Sequence, residues 1–386
     1  MACSKNDGPN NIDEPIGEGP IITEVNSYLN RVELGWEPKG GKAEYEIRYA
    51  MNRNMENAVV LEKIKGTSMS VKDLDTDQAY FWQIRAEIDG AWTGWSVAKR
   101  INTASFETSV ASYNILGAEH DPDIEPEYAW HIRKEAVRNI ILQSNNDPDI
   151  LGVQEARVQI DEVIGLLDDH YNYHVSGRSI SPQAIFWKPE KFELVSFNDD
   201  IDIFGSATTG RDNQRYVTHV RLRERSSGKE LLIYNLHIPT GSHVNLQQLR
   251  GIAANNISLH AKQQASQHNI PAIVLGDFNN YPETVIGGFP SASQVMRNNN
   301  FYDTFDVALE RINANYSTSV NRTTSIARIG ENGSMRIDYL FTYPADQVAV
   351  TQYATIINFE GSSSTQLARP VPSDHHPVRA VLHLSY

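Results

Sequence analysis

Cysteine is almost missing from this chain. Among 386 residues only Cys3 carries a thiol, so no disulfide can form within the molecule. Long hydrophobic runs are missing too. No apolar stretch reaches the roughly eighteen residues that a membrane-spanning helix requires, which excludes such a span. Positive charge is outweighed, with 34 Lys and Arg against 48 Asp and Glu and a net charge of −14. That balance works against tight, sequence-indifferent binding of long nucleic acid, which depends on phosphate-neutralising cations. A local basic pocket remains open, because whole-chain charge speaks to solubility and steering and not to one site. What is present is ordinary for a globular protein: 40% hydrophobic and 21% charged residues, at a length that suits two domains.

The position of the thiol adds an expectation. Ala2-Cys3-Ser4 opens a polar tail rich in Gly, Asn, Asp and Glu, which runs to about residue 18. A cysteine heading a flexible acidic tether resembles the start of a mature bacterial lipoprotein. It predicts membrane attachment through a lipidated Cys3 and a place in the cell envelope or outside the cell, ahead of the cytoplasm. An incidental thiol in a flexible terminus is the competing reading.

Residues 19–104 show short alternating strands divided by turns. Val32, Leu34 and Trp36 alternate with polar neighbours, as do Tyr45, Ile47 and Tyr49, and then Tyr80, Trp82, Ile84 and Ala86. Turn signals at Pro38-Lys39-Gly40-Gly41, Asp73-Leu74-Asp75 and Asp89-Gly90 separate them, and no helical period of useful length appears. The pattern predicts an all-β sandwich. Leu34-Gly35-Trp36, Tyr45 to Tyr49, Leu74 to Tyr80, Ile84-Arg85-Ala86 and Trp95-Ser96 together resemble a fibronectin type III domain. In that resemblance Leu74 and Tyr80 form the tyrosine corner.

From residue 105 the pattern changes to mixed α+β. Strands are predicted at 110–116, 150–153, 184–187, 192–196, 216–221, 231–237, 272–275, 337–342, 348–356 and 378–384. Helical spacing appears in Ile132, Ala136, Val137, Ile140 and Ile141, in Ile160, Val163, Ile164 and Leu167, and in Leu246, Leu249, Ala253 and Ile257. This predicts two packed β-sheets flanked by helices over residues 105–386.

Polar clusters stand beside these strands: Asn114; Gln154-Glu155; Asn235-Leu236-His237; Asp277 with Asn279; Arg336-Ile337-Asp338; and Asp374-His375. Any one alone reads as a cap, a turn former or a solvated charge. Together, each adjoining a strand, they predict a shared site. Carboxylates brought into one pocket repel each other, and a hard divalent cation relieves that repulsion. Oxygen ligands without cysteine favour Mg²⁺ or Mn²⁺ over zinc. Histidines beside such a cation can hold charge on, or give protons to, phosphoryl oxygens.

Ser112-Tyr113-Asn114, Gln154-Glu155, Asn235-Leu236-His237, Gly276-Asp277-Phe278-Asn279, Ile337-Asp338-Tyr339 and Ser373-Asp374-His375-His376-Pro377-Val378 occur in this order. They resemble the endonuclease/exonuclease/phosphatase superfamily, which includes pancreatic-type deoxyribonuclease, abasic-site endonucleases, neutral sphingomyelinases and inositol polyphosphate 5-phosphatases. The resemblance covers residue 105 to the C-terminus and implies a deoxyribonuclease-like four-layer sandwich. It implies Glu155 as principal Mg²⁺ ligand, with Asn114 beside it in the metal or phosphate shell and Asp374 supporting the metal side. Asp277 would orient or deprotonate the attacking water, and Asn279 would hold a phosphate oxygen or that water. Asp338 would fix the ring of His375, which contacts the scissile phosphate. His237 matches the acid or phosphate binder of the deoxyribonuclease and sphingomyelinase branches and speaks against the abasic-endonuclease branch. His376 is expected to be structural. Gln183 stands near the place where many members carry a Glu, which leaves open what partners His237. Arg211 and Arg215 could meet a substrate anion or serve as solubilising charges.

The expected activity is metal-dependent phosphoester hydrolysis. A small or lipid-linked phosphodiester or phosphomonoester is favoured as substrate over extracellular nucleic acid. A catalytically inactive binding or adhesion module is the alternative of a different class.

Overall fold

The computed structural model describes residues 19–40, 43–123, 126–176, 183–205, 216–320, 325–331 and 335–386. Cys3, Arg211 and Arg215 lie outside the described residues. The chain divides into two compact units, with the boundary between Ala104 and Ser105.

The first unit is all β. Its strands are β1 (Ile22–Ser27), β2 (Arg31–Trp36), β3 (Glu44–Ala50), β4 (Val59–Lys65), β5 (Ser68–Lys72), β6 (Ala79–Ile88), β7 (Ala91–Trp92) and β8 (Lys99–Asn102). One sheet runs β1-β2-β5, and the other runs β4-β3-β6 with β7 and β8 both paired to β6. The alternating residues predicted to point inward do so. Val32, Leu34 and Trp36 share one apolar cluster with Tyr45, Ile47, Trp82 and Ile84. Leu74 belongs to the same cluster, and the Tyr80 hydroxyl accepts a hydrogen bond from the Asp75 N–H at 3.0 Å.

The second unit carries two larger sheets. Its strands are β9 (Phe106–Asn114), β10 (Ile150–Gln154), β11 (Asn172–Val175), β12 (Ala184–Trp187), β13 (Phe192–Asp202), β14 (Tyr216–Glu224), β15 (Glu230–His237), β16 (Ala272–Asp277), β17 (Tyr302–Asp303), β18 (Glu310–Ile312), β19 (Asp338–Tyr343), β20 (Val348–Thr355) and β21 (Val378–Leu384). Its helices are α1 (Trp130–Leu142), α2 (Ile160–Leu167), α3 (Val244–His268), α4 (Ala292–Asn298) and α5 (Thr304–Val307). The first sheet has the order β11-β12-β10-β9-β21-β20-β18, the second β13-β14-β15-β16-β19-β17.

Apolar residues decide the layering. Central strands such as β10, β12 and β16 are buried on both faces, so their sequences read as continuous apolar runs and do not alternate. One set of side chains fills the space between the sheets: Val110, Ile150 and Ile185 from the first, Val220, Ile233, Ile273 and Leu275 from the second. The outer face of the first sheet packs on α1 and α2 through Val137, Ile141, Val163 and Leu167. The outer face of the second packs on α3 and α4 through Ala253, Ile257, Ala261 and Met296. Gly152 marks how closely the sheets approach, since a Cβ there would lie 2.1 Å from Leu275 Cδ1. Leu275 is fully buried, and Leu275→Ala would cost about 2–5 kcal/mol.

Register brings the polar strand ends together. In the first sheet β9 and β10 run parallel with Asn114 opposite Gln154. In the second, β15 and β16 run parallel with His237 opposite Asp277, and β19 runs antiparallel to β16 with Asp338 opposite Asp277. His237, Asp277 and Asp338 thus form one row across three strands.

Candidate active site

Each catalytic candidate sits at or within a few residues of one end of a buried strand. β10 ends at Gln154, and Glu155 turns out of the strand with a φ of +60°. Asn279, two residues beyond the end of β16, has a φ of +44°. Left-handed backbone at non-glycine residues is disfavoured, and it is often retained where side chains must be aimed at a site.

The Asn114 amide links the two sheets. Its Nδ2 donates to Glu155 Oε1 at 2.9 Å and to Asp277 Oδ2 at 3.1 Å, while its Oδ1 accepts from the Leu116 N–H at 3.1 Å. Glu155 Oε2 also accepts from the Gly117 N–H at 3.2 Å. His237 Nε2 lies 3.7 Å from Glu155 Oε1 and 3.5 Å from Asp277 Oδ2. Asn279 Nδ2 lies 3.0 Å from His237 Nε2, and its backbone N–H donates to Asp277 Oδ1 at 2.8 Å. His375 Nδ1 meets Asp338 Oδ2 at 2.9 Å and Oδ1 at 3.2 Å, and its Nε2 points to Asp277 Oδ2 at 3.8 Å.

Electrostatics separate the carboxylates into roles. Burial opposes ionisation of Glu155, yet the charge of His237, the Asn114 amide, His375 and the Gly117 N–H together hold its carboxyl down at about 2. Burial pushes Asp277 up to about 6; Asp338 adds to the rise, while His375 and His237 oppose it. Burial also works against a charge on His375, but Asp338, through its charge and its hydrogen bond, with Asp277 and Asp374, lifts the imidazole well above the usual histidine value. Burial first, then His375, pushes His376 down to about 3, so it packs as a neutral ring.

Glu155, His237, Asp277, Asn279, Asp374 and His375 all line one cavity of about 700 Å³. Asp338 supports it from behind the ring of His375. Two sets of ligand atoms lie within 4.8 Å of one another: Glu155, His237 and Asp277, and then Asp277, Asp338 and His375. Asp374 lines the same cavity outside both sets.

Other residues prove to have different work from that expected of them. Gln183 does not meet the ring of His237. With its amide oriented to satisfy both ends, its oxygen accepts from the His237 backbone N–H at 2.9 Å and its nitrogen donates to the Asn235 carbonyl. The ring Nδ1 of His237 has no partner among the described residues. Asn235 and Gln154 lie below the site, where Gln154 Nε2 donates to Asn235 Oδ1 at 2.7 Å and pins sheet to sheet. Arg336 turns away to pair with Asp303.

Sequence reasoning missed Arg133 on α1. It is fully buried and donates to the carbonyls of Tyr128 at 2.7 Å and Pro372 at 3.0 Å, and also to Ile115 and Leu116. It ties the segment after Asn114 to the segment before Asp374. Ser373 completes that tie, with its Oγ donating to the Asn114 carbonyl at 2.7 Å.

Comparison with known proteins agrees with this arrangement. The model of the Endonuclease/Exonuclease/phosphatase family matches residues 111–375. Carbon catabolite repressor protein 4 homolog 3 of Arabidopsis thaliana is 26% identical over 204 residues, which are 48% of this chain and 43% of that protein. The chain thus spans less than half the length of that relative. An endonuclease/exonuclease/phosphatase family protein from Bacteroides thetaiotaomicron shares the fold with a TM-score of 0.58 at 22% identity, covering 72% of this chain and 96% of the other. A mannosyl-6-phosphatase from the same organism shares it with a TM-score of 0.56 at 20% identity, covering 71% and 99%. The chain belongs to the endonuclease/exonuclease/phosphatase family, whose members are phosphoester hydrolases.

Proposed function

We propose that this chain hydrolyses a small or lipid-linked phosphomonoester or phosphodiester by in-line attack of water, with Mg²⁺ or Mn²⁺ as its resident cation. One observation carries the reading: a single buried amide, Asn114, touches the carboxylates of Glu155 and Asp277 from opposite sheets, and both carboxylates line a cavity with the Asp338-supported ring of His375.

The residues present fit a hard cation. Carboxylate oxygens dominate both converging sets, and neither contains a thiol. Glu155, ionised throughout the physiological range, would be its main holder, with Asp374 at the same cavity. When bound, the cation supplies charge neutralisation and Lewis acidity at the phosphoryl oxygens.

The protein supplies the rest. Asp277, raised toward neutrality, is matched to accept a proton from water near pH 7. His375, kept cationic by Asp338, presents positive charge to the phosphoryl group. The water oxygen bonds to phosphorus and its proton passes to Asp277. The bond from phosphorus to the leaving oxygen breaks and that oxygen takes a proton from water, while His237, held by the Asn279 amide, stands at the same cavity to bind the phosphoryl group.

Hydrolysis of p-nitrophenyl phosphate and its bis ester, with Mg²⁺ and with a chelator, tests the reading. Metal-dependent release of p-nitrophenol supports it, and none under any divalent cation supports an inactive binding module. Efficient plasmid nicking, lost in Glu155→Gln, would turn the assignment to a nuclease.

For residues 19–104 we propose a fibronectin type III-like spacer or docking unit, supported by the strand orders and by the Tyr80 hydroxyl at Asp75. Residues 105–386 produced alone should keep their turnover. Its loss would show that the first unit takes part in the chemistry.

A further inference from the structure

One wall of the active-site cavity is held in place by two buried polar residues of α3. Gln247 and Arg250 are spaced by three and face the same way, at 0% and 1% exposure. Arg250 Nη1 donates to the carbonyls of Pro239 at 3.0 Å and Gly241 at 2.8 Å, and its Nη2 donates to Gln247 Oε1 at 2.9 Å. Gln247 Nε2 donates to the carbonyls of Pro290 at 2.9 Å and Thr284 at 3.2 Å, and its Oε1 also accepts from Asn280 Nδ2 at 2.9 Å. The clamp therefore fixes two loops, the one that follows His237 and the one that follows Asn279. Between them they turn Thr240, Ser242, Tyr281 and Thr284 to the cavity.

The chemistry of this wall is neutral and hydroxylated. Among the described lining residues the cations are Arg157, Arg250 and His375; Arg250 is engaged by carbonyls, and His375 is committed to Asp338 and the reacting phosphoryl group. Glu119, Glu155, Asp277 and Asp374 give the rim the opposite sign. A polynucleotide would place its next phosphate where no described cation track waits for it. Among the described residues an acyl chain would find Leu116, Ile286, Met335 and Ile337 as its apolar contacts, set among polar groups. A ring bearing hydroxyls would find hydrogen-bonding partners of its own kind and the exposed face of Tyr281.

We propose that this wall is the leaving-group subsite and that the substrate is a phosphorylated polyol, a sugar phosphate in chemical terms. The proposal rests on the phosphoesterase reading and narrows it. Hydrolysis then breaks the bond between phosphorus and the polyol oxygen, with water giving its oxygen to phosphate and a proton to the polyol. Ser242 and Tyr281 are exposed loop residues, so their replacement spares the core.

The test is a Mg²⁺-supported panel on the full chain: hexose 6-phosphates, p-nitrophenyl phosphate, a short oligonucleotide and a lysophosphatidic acid. The expected result is highest kcat/KM for a hexose phosphate. In Tyr281→Ala and Ser242→Ala, the ratio of kcat/KM for that sugar to kcat/KM for p-nitrophenyl phosphate should fall about tenfold, mostly through KM. Preference for the oligonucleotide or the lipid, or an unmoved ratio in both variants, overturns the sugar assignment while leaving phosphoester hydrolysis standing. No turnover of any probe overturns both.

Discussion

Two buried carboxylate clusters meet at the entrance to β19, and they differ in how their charge is answered. Arg336 grips Asp303 with both terminal nitrogens, at 2.8 and 3.2 Å, and Arg297 adds a third bond at 2.9 Å. The rings of Phe305 and Tyr339 lie 4.3 and 4.4 Å from the same guanidinium. Burial raises Asp303, and the charge and hydrogen bonds of Arg336 oppose the rise. Two residues on, Asp338 faces Asp277 across the strand pairing, and the partners there are histidines. The first cluster is a closed ion pair that shapes the fold. The second is left with acidic charge turned to a cavity, available to a cation and a phosphoryl group. Burial alone does not mark a site; uncompensated charge that opens on space does.

Mutations that strike each cluster should separate chemistry from stability. Asp277→Asn should lower kcat by about 10²–10⁴-fold with thermal stability near that of the parent, seen in parallel kinetics and melting curves. His375→Ala should lose turnover and some stability together, because it strands the buried Asp338 carboxylate. Asp303→Ala should do the reverse of Asp277→Asn. It strands a buried Arg336 and costs about 3–5 kcal/mol in denaturant unfolding, while kcat per folded molecule holds. A kinetic defect at full stability in that variant would erase the contrast. Glu155→Gln should raise the Mg²⁺ needed for half-activation by about tenfold or more, read from metal titrations of the rate.

A buried histidine remote from the site sharpens the comparison from its weakest end. His219 stacks on Tyr234 at 4.4 Å with neither ring nitrogen partnered among the described residues. Burial first, then His260, His268, Arg221 and His174, pushes it down to about 3 from 6.5. Between those values the unfolded chain takes up a proton that the folded chain refuses. Stability is therefore lost as pH falls through that window, by at most about 1.4 kcal/mol per pH unit. His219→Phe should flatten this slope in acid unfolding; an unchanged slope would show that the ring is not the proton acceptor.

Much of this was legible in one dimension. β10, β12 and β16 announce themselves as short apolar runs, and two of them, β10 and β16, end at or beside residues that converge, Glu155 and Asp277. Asn114, Glu155, His237, Asp277, Asn279, Asp374 and His375 needed only the rule that a sheet enzyme keeps its polar groups at strand ends. What escaped has a common physical cause. β4 and β11 lie partly exposed at sheet edges, so no strong apolar pattern marks them. α3 continues to His268 beyond its apolar period. Arg133, Gln247 and Arg250 are buried by bonds to carbonyls, some of them far along the chain, and such partners leave no periodic trace. Gln183 looked like a weakened partner for His237 because its type was weighed against a ring, when it serves the backbone.

Binding of Mn²⁺ to the intact chain, followed by loss of the free-ion paramagnetic signal, tests whether the converged carboxylates form a hard-cation site. The account predicts saturable binding that Mg²⁺ displaces and that Glu155→Gln weakens by about tenfold or more while Asp303→Ala leaves it in place. Binding that ignores Glu155, or no saturable binding to the folded protein, would contradict it.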